Sequence, residues 1–151
     1  MTHSGGCQCG AVRYRLERLG RATICHCRMC QKAFGGFYGP LVTAHGLVWT
    51  RGEPQIFASS NRVKRGFCGA CGTPLTYDYG GPLEVAIGSL DRPEDAAPVL
   101  QVNAADKLSF TDGLHDLPFR DDATGSPAVE FLQSVQNLQH PDHDTDRWPQ
   151  P

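Results

Sequence analysis

The chain of 151 residues contains no apolar run near the roughly 20 residues that cross a bilayer. It also lacks a basic excess: 14 Lys and Arg stand against 16 Asp and Glu, a formal net charge of −2. That balance excludes the positive surface that nucleic acid normally selects, so neither nucleic acid nor a membrane is expected as a partner. Met1 to Gly6 shows no basic segment leading into a hydrophobic stretch. No secretory signal is read there, and a cytoplasmic location is expected. There is no internal repeat and no composition shift marking a domain boundary, and the length suits one core. Cysteine is the residue type present in unusual number. There are seven, an odd count that rules out complete pairing within one chain. A reducing compartment would also oppose stable disulfides. Clustered intracellular cysteines point instead to metal ligation or redox chemistry.

The remaining pattern is that of a mostly β protein. Val12, Tyr14 and Leu16 alternate with Arg13 and Arg15, which predicts a half-buried strand over Gly10 to Leu16. Further short strands are predicted over Ala22 to Cys25, Phe37 to Thr43, Leu47 to Thr50, Gln55 to Ser59, Lys64 to Phe67, Leu75 to Tyr79, Leu83 to Ile87 and Val99 to Asn103. Gly80, Gly81 and Pro82 read as a hairpin turn between two of them. One or two turns of helix fit Met29 to Phe34, stopped by Gly35 and Gly36. A longer helix is expected near the C-terminus, with Ser126 as N-cap, Pro127 in its first turn and an apolar stripe of Val129, Leu132, Val135 and Leu138. The expected organisation is a single zinc-binding domain over residues 1–139 and a poorly ordered polar tail over 140–151.

The cysteines fall into three groups: Cys7 and Cys9; Cys25, Cys27 and Cys30; Cys68 and Cys71. A C-x-x-C turn places two sulfurs on one side of a tight loop, and a bent C-x-C can do the same. Zinc prefers tetrahedral thiolate coordination at about 2.3 Å. The first and third groups supply four thiolates, enough for a closed structural zinc. The middle group supplies three, leaving a fourth position for water or substrate, as catalytic sites do. Two zinc ions then use every cysteine. Spacing alone leaves three other arrangements open: one zinc on the four-cysteine set only, seven metal-free thiols, or a C-x-x-C redox couple, although the βαβ context of a thioredoxin-like couple is missing. His26 lies between two ligand cysteines and should point away from their metal, toward a hydrogen bond. His3, His45, His115, His140 and His143 lack chelating spacing and read as surface residues. Arg28, Lys32, Arg62, Lys64 and Arg65 are candidates for offsetting thiolate charge or holding a substrate carboxylate, and Ser59, Ser60 and Asn61 for a polar turn at the entrance.

The run Gly5 to Tyr14, the segment CHCRMCQKAFG over 25–35 and the segment Arg65 to Tyr77 together resemble the glutathione-dependent formaldehyde-activating enzyme family, the CENP-V/GFA domain. Leu83 to Asp91 adds a strand and turn of the same kind. The likeness weakens after about Asp106, where Leu108 and Phe110 stand near a position commonly held by tryptophan. The resemblance implies a zinc-clamped β-tent of short antiparallel strands, with Cys7, Cys9, Cys68 and Cys71 as the structural zinc ligands and Cys25, Cys27 and Cys30 as the catalytic ones. It implies a carbon–sulfur lyase that joins glutathione, or another thiol, to a small aldehyde such as formaldehyde, giving S-hydroxymethylglutathione. Competing expectations are a non-catalytic zinc module that binds another protein and a redox switch that releases zinc on oxidation. A homodimer is compatible with either.

Overall fold

The computed structural model describes residues 2–120 and 126–148. Its strands are His3–Gly6 (β1), Arg13–Leu16 (β2), Arg18–Cys25 (β3), Gly39–His45 (β4), Val48–Arg51 (β5), Gln55–Ala58 (β6), Lys64–Phe67 (β7), Pro74–Asp78 (β8), Glu84–Ala86 (β9) and Leu100–Val102 (β10). Two α-helices, Arg28–Phe34 (α1) and Pro127–Ser134 (α2), and short 3-10 turns complete it. β1, β2 and β5 form one sheet, and the others form a second in the order β10-β3-β4-β9-β8-β7-β6. Neighbours run antiparallel throughout except β10, which lies parallel to β3 at one edge. The protein is mostly β, as the short alternating runs predicted.

The larger sheet has two chemically different faces, because residues in directly opposed positions share a face. One row, Ala22, Val42, Val85 and Thr76, runs along β3, β4, β9 and β8. Val42 and Val85 are fully buried there and join Tyr14, Leu16 and Leu75 in the core. The adjacent row, Thr43, Glu84, Tyr77 and Arg65, faces the other way. Cys25 and Thr23 of β3 belong to that second face, and α1 packs beside them. The close approach explains Gly39: a Cβ there would lie 2.9 Å from the Cys30 Cβ and from the Phe34 ring. Gly35 ends α1 at φ 60°, a left-handed cap that only glycine adopts without strain.

Most core polar groups are paired; Arg13 Nε and His26 Nδ1 are buried without a partner among the described residues. The Tyr14 hydroxyl donates to Ser89 Oγ at 2.8 Å, since Ser89 spends its own proton on the Ala86 carbonyl at 2.7 Å. Arg13, only 3% exposed, forms a two-pronged pair with Asp91 at 2.7 and 2.6 Å.

Two C-terminal features differ from expectation. α2 starts as predicted, with Ser126 capping the Val129 amide, but it ends at Ser134, and Val135 is already extended. Its apolar stripe is exposed at Leu132, Val135 and Leu138 rather than packed on the core. The polar segment from His140, expected to be poorly ordered, carries packed residues as far as Trp148. The His140 amide donates to the Gln8 carbonyl at 2.8 Å, and its side chain is 3% exposed, so it is not a surface histidine. Trp148 donates to the Cys9 carbonyl and stacks edge-on against His140, and a Cβ on Gly10 would strike both rings. Asp144 accepts from Arg13 at 2.9 Å and from Arg15 at 2.7 Å, while Arg51 donates to the Thr145 carbonyl. Composition suggested solvent here because each polar residue looks solvated alone; the arginines of β2 and β5 supply the partners.

Burial opposes ionisation of Asp144, but the Arg13 and Arg15 hydrogen bonds outweigh it and hold its carboxyl below the usual range. A carboxyl depressed on folding stabilises the protein above its unfolded pKa of about 3.9, and that contribution fades as pH falls through the folded value. Asp144→Asn should therefore cost about 1 kcal/mol at pH 7, read by urea denaturation. The gap from wild type should close as pH falls below about 4.

Candidate metal centre

Two groups of cysteine sulfurs converge. Cys7, Cys9, Cys68 and Cys71 form one, Cys25, Cys27 and Cys30 the other, and within each the Sγ atoms lie within 4.8 Å of one another. All seven are free thiols.

The four-sulfur group is built from two turns. Cys7 and Cys9 follow β1 in a loop closed by Cys7 N–H to Val12 O at 2.9 Å and Gly10 N–H to Cys7 O at 3.0 Å. Cys68 and Cys71 follow β7 in a loop closed by Cys68 N–H to Thr73 O at 2.9 Å and Gly72 N–H to Cys68 O at 2.8 Å. Cys7 to Cys9 is 3.6 Å and Cys9 to Cys68 is 3.8 Å, sulfur to sulfur. The edge of a tetrahedron with 2.3 Å zinc–sulfur bonds is about 3.8 Å, whereas a disulfide spans about 2.05 Å. These sulfurs are spaced for an ion between them. Thr73 links the two turns: its Oγ1 accepts from the Gln8 amide at 3.0 Å, which leaves its proton to donate to Cys71 Sγ at 3.1 Å. Burial works against the Cys71 thiolate, but Thr73 and the nearby amides carry that thiol down to about 6. Burial pushes Cys7 up to about 12. A cation entering here must displace protons, so its affinity will depend on pH.

The three-sulfur group sits where β3 meets α1. Cys25 ends β3, Cys27 is the N-cap of α1 with its sulfur 3.4 Å from the Cys30 amide, and Cys30 lies in the first turn. Two N–H donors address the sulfurs from elsewhere. Asn103 Nδ2 reaches Cys25 at 3.2 Å, and Arg65 Nη2 reaches Cys30 at 3.3 Å. Asn103 does so from a left-handed backbone at φ 59°, the one non-glycine residue with positive φ among those described. Burial raises the Cys30 thiol to about 12 even though Arg65 pulls it down. Burial also acts against Cys25, yet the Cys27 amide, the Cys30 thiol and Asn103 lower it overall. Donors aimed at sulfur favour thiolate, the form that binds metal.

Cys25 and Cys30 open onto a cleft of about 290 Å³ whose other walls include Arg21, Tyr77, Glu84 and Asn103. Burial raises the Glu84 carboxyl, partly offset by Arg21. Of the basic candidates, Arg65 alone is buried; Arg28, Lys32, Arg62 and Lys64 are exposed. Ser59 serves the site indirectly, accepting from Arg65 Nε at 3.2 Å, while Ser60 closes the turn onto the Arg62 and Val63 amides. His26 joins neither sulfur group and bonds Gln101 Oε1 at 2.8 Å. Sequence reading did not assign Asn103, Glu84, Tyr77 or Arg21 to the site: Tyr77 and Glu84 lay in family-like segments with no role given, and the four come together only in the folded chain.

Fold and site together define a small β protein with two thiolate centres able to hold metal ions. The chain belongs to the glutathione-dependent formaldehyde-activating enzyme family, whose model matches residues 2–106. No curated protein matches the sequence. A crystal structure of a Rhodobacter sphaeroides protein superposes with a TM-score of 0.52 at 24% identity, covering 66% of this chain and 99% of that one. That likeness concerns the fold.

The two centres should respond differently to mutation. Structural zinc sites contribute on the order of 10 kcal/mol to folding, comparable to a domain's entire stability. Cys71→Ala should therefore leave the protein unfolded or insoluble. Cys27→Ala should lose one metal ion per chain and keep the native circular dichroism spectrum. Elemental analysis beside the spectra checks both.

Proposed function

We propose that the protein is a zinc-dependent carbon–sulfur lyase acting on the adduct of glutathione, or a similar thiol, with a small aldehyde such as formaldehyde. Cys7, Cys9, Cys68 and Cys71 hold a structural zinc, and Cys25, Cys27 and Cys30 hold the catalytic one. The observation that carries this reading is the three-sulfur group on the wall of a cleft, one ligand short of a tetrahedron. Family membership supports it.

A zinc ion bound there supplies a Lewis acid that keeps an incoming thiol ionised near neutral pH. The chain's residues do the rest. Asn103 and Arg65 hold the Cys25 and Cys30 sulfurs with N–H bonds, so the open side stays turned to the cleft. Arg21 offers a cation for a carboxylate of the thiol compound. In the synthetic direction the thiolate sulfur attacks the aldehyde carbon, the carbon–oxygen π pair moves to oxygen, and that oxygen takes a proton. Glu84, kept more protonated than usual by burial, supplies the proton from its carboxyl and recovers one from the next thiol. In reverse, Glu84 removes the hydroxyl proton as the carbon–sulfur bond breaks.

Exchange between formaldehyde, glutathione and S-hydroxymethylglutathione can be followed by two-dimensional NMR. The wild-type protein should accelerate exchange. Cys27→Ala should reduce the protein's contribution roughly 100-fold or more, the effect of losing several kcal/mol of metal-derived stabilisation. Glu84→Gln should lower kcat about 10- to 100-fold with KM nearly unchanged. A wild type carrying two zinc ions that leaves exchange at the uncatalysed rate would identify the chain instead as a non-catalytic zinc module.

A further inference from the structure

Arg65 is 7% exposed, and among the described residues no carboxylate lies within ion-pair distance of it. Burying a cation without an anion costs several kcal/mol, so the negative charge must come from another source. The guanidinium touches three groups. Nε donates to Ser59 Oγ at 3.2 Å, the plane stacks over the Tyr77 ring at 4.9 Å, and Nη2 donates to Cys30 Sγ at 3.3 Å. Ser59 and Tyr77 are neutral. The anion is the sulfur cluster.

The count of charges is specific. Three cysteinates and one divalent ion sum to −1, and one arginine returns the group to zero. The four-sulfur centre would carry −2 with the same ion, yet among the described residues no buried arginine donates to it. Its sulfurs are served by amides, Val12 N–H on Cys7 at 3.2 Å, and by the Thr73 hydroxyl. A compensating cation is thus built into the centre that has three sulfurs rather than four. Ser59 and Tyr77 hold the guanidinium from two sides, so its direction toward Cys30 is set before any metal arrives.

We propose that Arg65 is a positioning residue of the three-cysteine centre: as its resident counter-ion it fixes the direction of the Cys30 sulfur through its N–H bond and neutralises the net charge left by a divalent metal. The proposal rests on the reading that Cys25, Cys27 and Cys30 bind such a metal. Without Arg65 the Cys30 sulfur loses its N–H partner and the loaded centre carries an uncompensated buried charge. Outer-shell partners of this kind change metal affinity about 10- to 100-fold.

The test uses the full chain with zinc in the four-cysteine centre and Co2+ titrated into the other. Wild type should take up one Co2+ and show the sulfur-to-cobalt charge-transfer band. Arg65→Met should bind Co2+ about 10- to 100-fold more weakly and shift that band to longer wavelength, because removing an N–H donor raises the sulfur lone pair in energy. Arg65→Lys should recover part of both, and Tyr77→Leu, which loosens the guanidinium without removing it, should give a smaller shift in the same direction. Arg65→Met or Tyr77→Leu binding with unchanged affinity and band position would overturn the proposal. If Arg65→Met does not fold, Arg65→Lys and Tyr77→Leu decide it by the same two readouts. Wild type failing to take up Co2+ beside the zinc would instead overturn the reading on which the proposal rests.

Discussion

Sulfur convergence is the constraint on which the architecture depends. Cys7 and Cys9 lie in the turn after β1, in the small sheet, while Cys68 and Cys71 lie after β7, in the large one. Bringing the four together fastens one sheet to the other at the edge of the hydrophobic core. Cys7 and Cys68 are themselves core residues beside Val12, Tyr14 and Leu75. The metal ligands and the hydrophobic core are therefore one packing problem. Small β domains with short strands bury limited apolar surface, and a cross-link through an ion is an effective supplement.

The same chemistry is used twice with different surroundings. The four-sulfur group is completed by its own chain and flanked by backbone amides, a threonine and the docked C-terminal segment. The three-sulfur group is flanked by a cleft with titratable walls and by a buried arginine. Its first turn is helical, and the strands opposite it align Tyr77 and Glu84 in direct register. Sheet pleating thus delivers Tyr77 and Glu84 to one face of β8 and β9 while Val85, the neighbour of Glu84, fills the core. The difference in surroundings between the two centres follows from which layer of the sheet each abuts.

Much of this was legible in the chain before folding was considered. Cysteine spacing carried the two groups because chelation needs ligands close in sequence to share a turn. Period-two alternation located most strands, and β7 was read to the residue. β1 was not seen, since His3 to Gly6 has no apolar alternation and becomes a strand only by pairing with β2. Arg65 could not be separated from Arg28, Lys32, Arg62 and Lys64, because nothing local distinguishes an arginine buried between Tyr77 and Cys30 from one in solvent. Glu84 and Asn103 reach the cleft through register and a left-handed turn, both tertiary matters. The C-terminal tail misled for the opposite reason: its residues are polar, but β2 and β5 present arginines that pair with them.

The N-cap of α1 is also a candidate metal ligand, so the bite between Cys27 and Cys30 is set by helical pitch. One residue inserted there would rotate the second sulfur about 100° around the axis and carry it to another side of the helix. A loop-borne pair could absorb such an insertion by bulging; this pair cannot. The spacing of these two cysteines is therefore inelastic over evolutionary time, whereas the turn between β6 and β7, which serves the same centre through Arg65, is free to change length so long as it returns the guanidinium to its place.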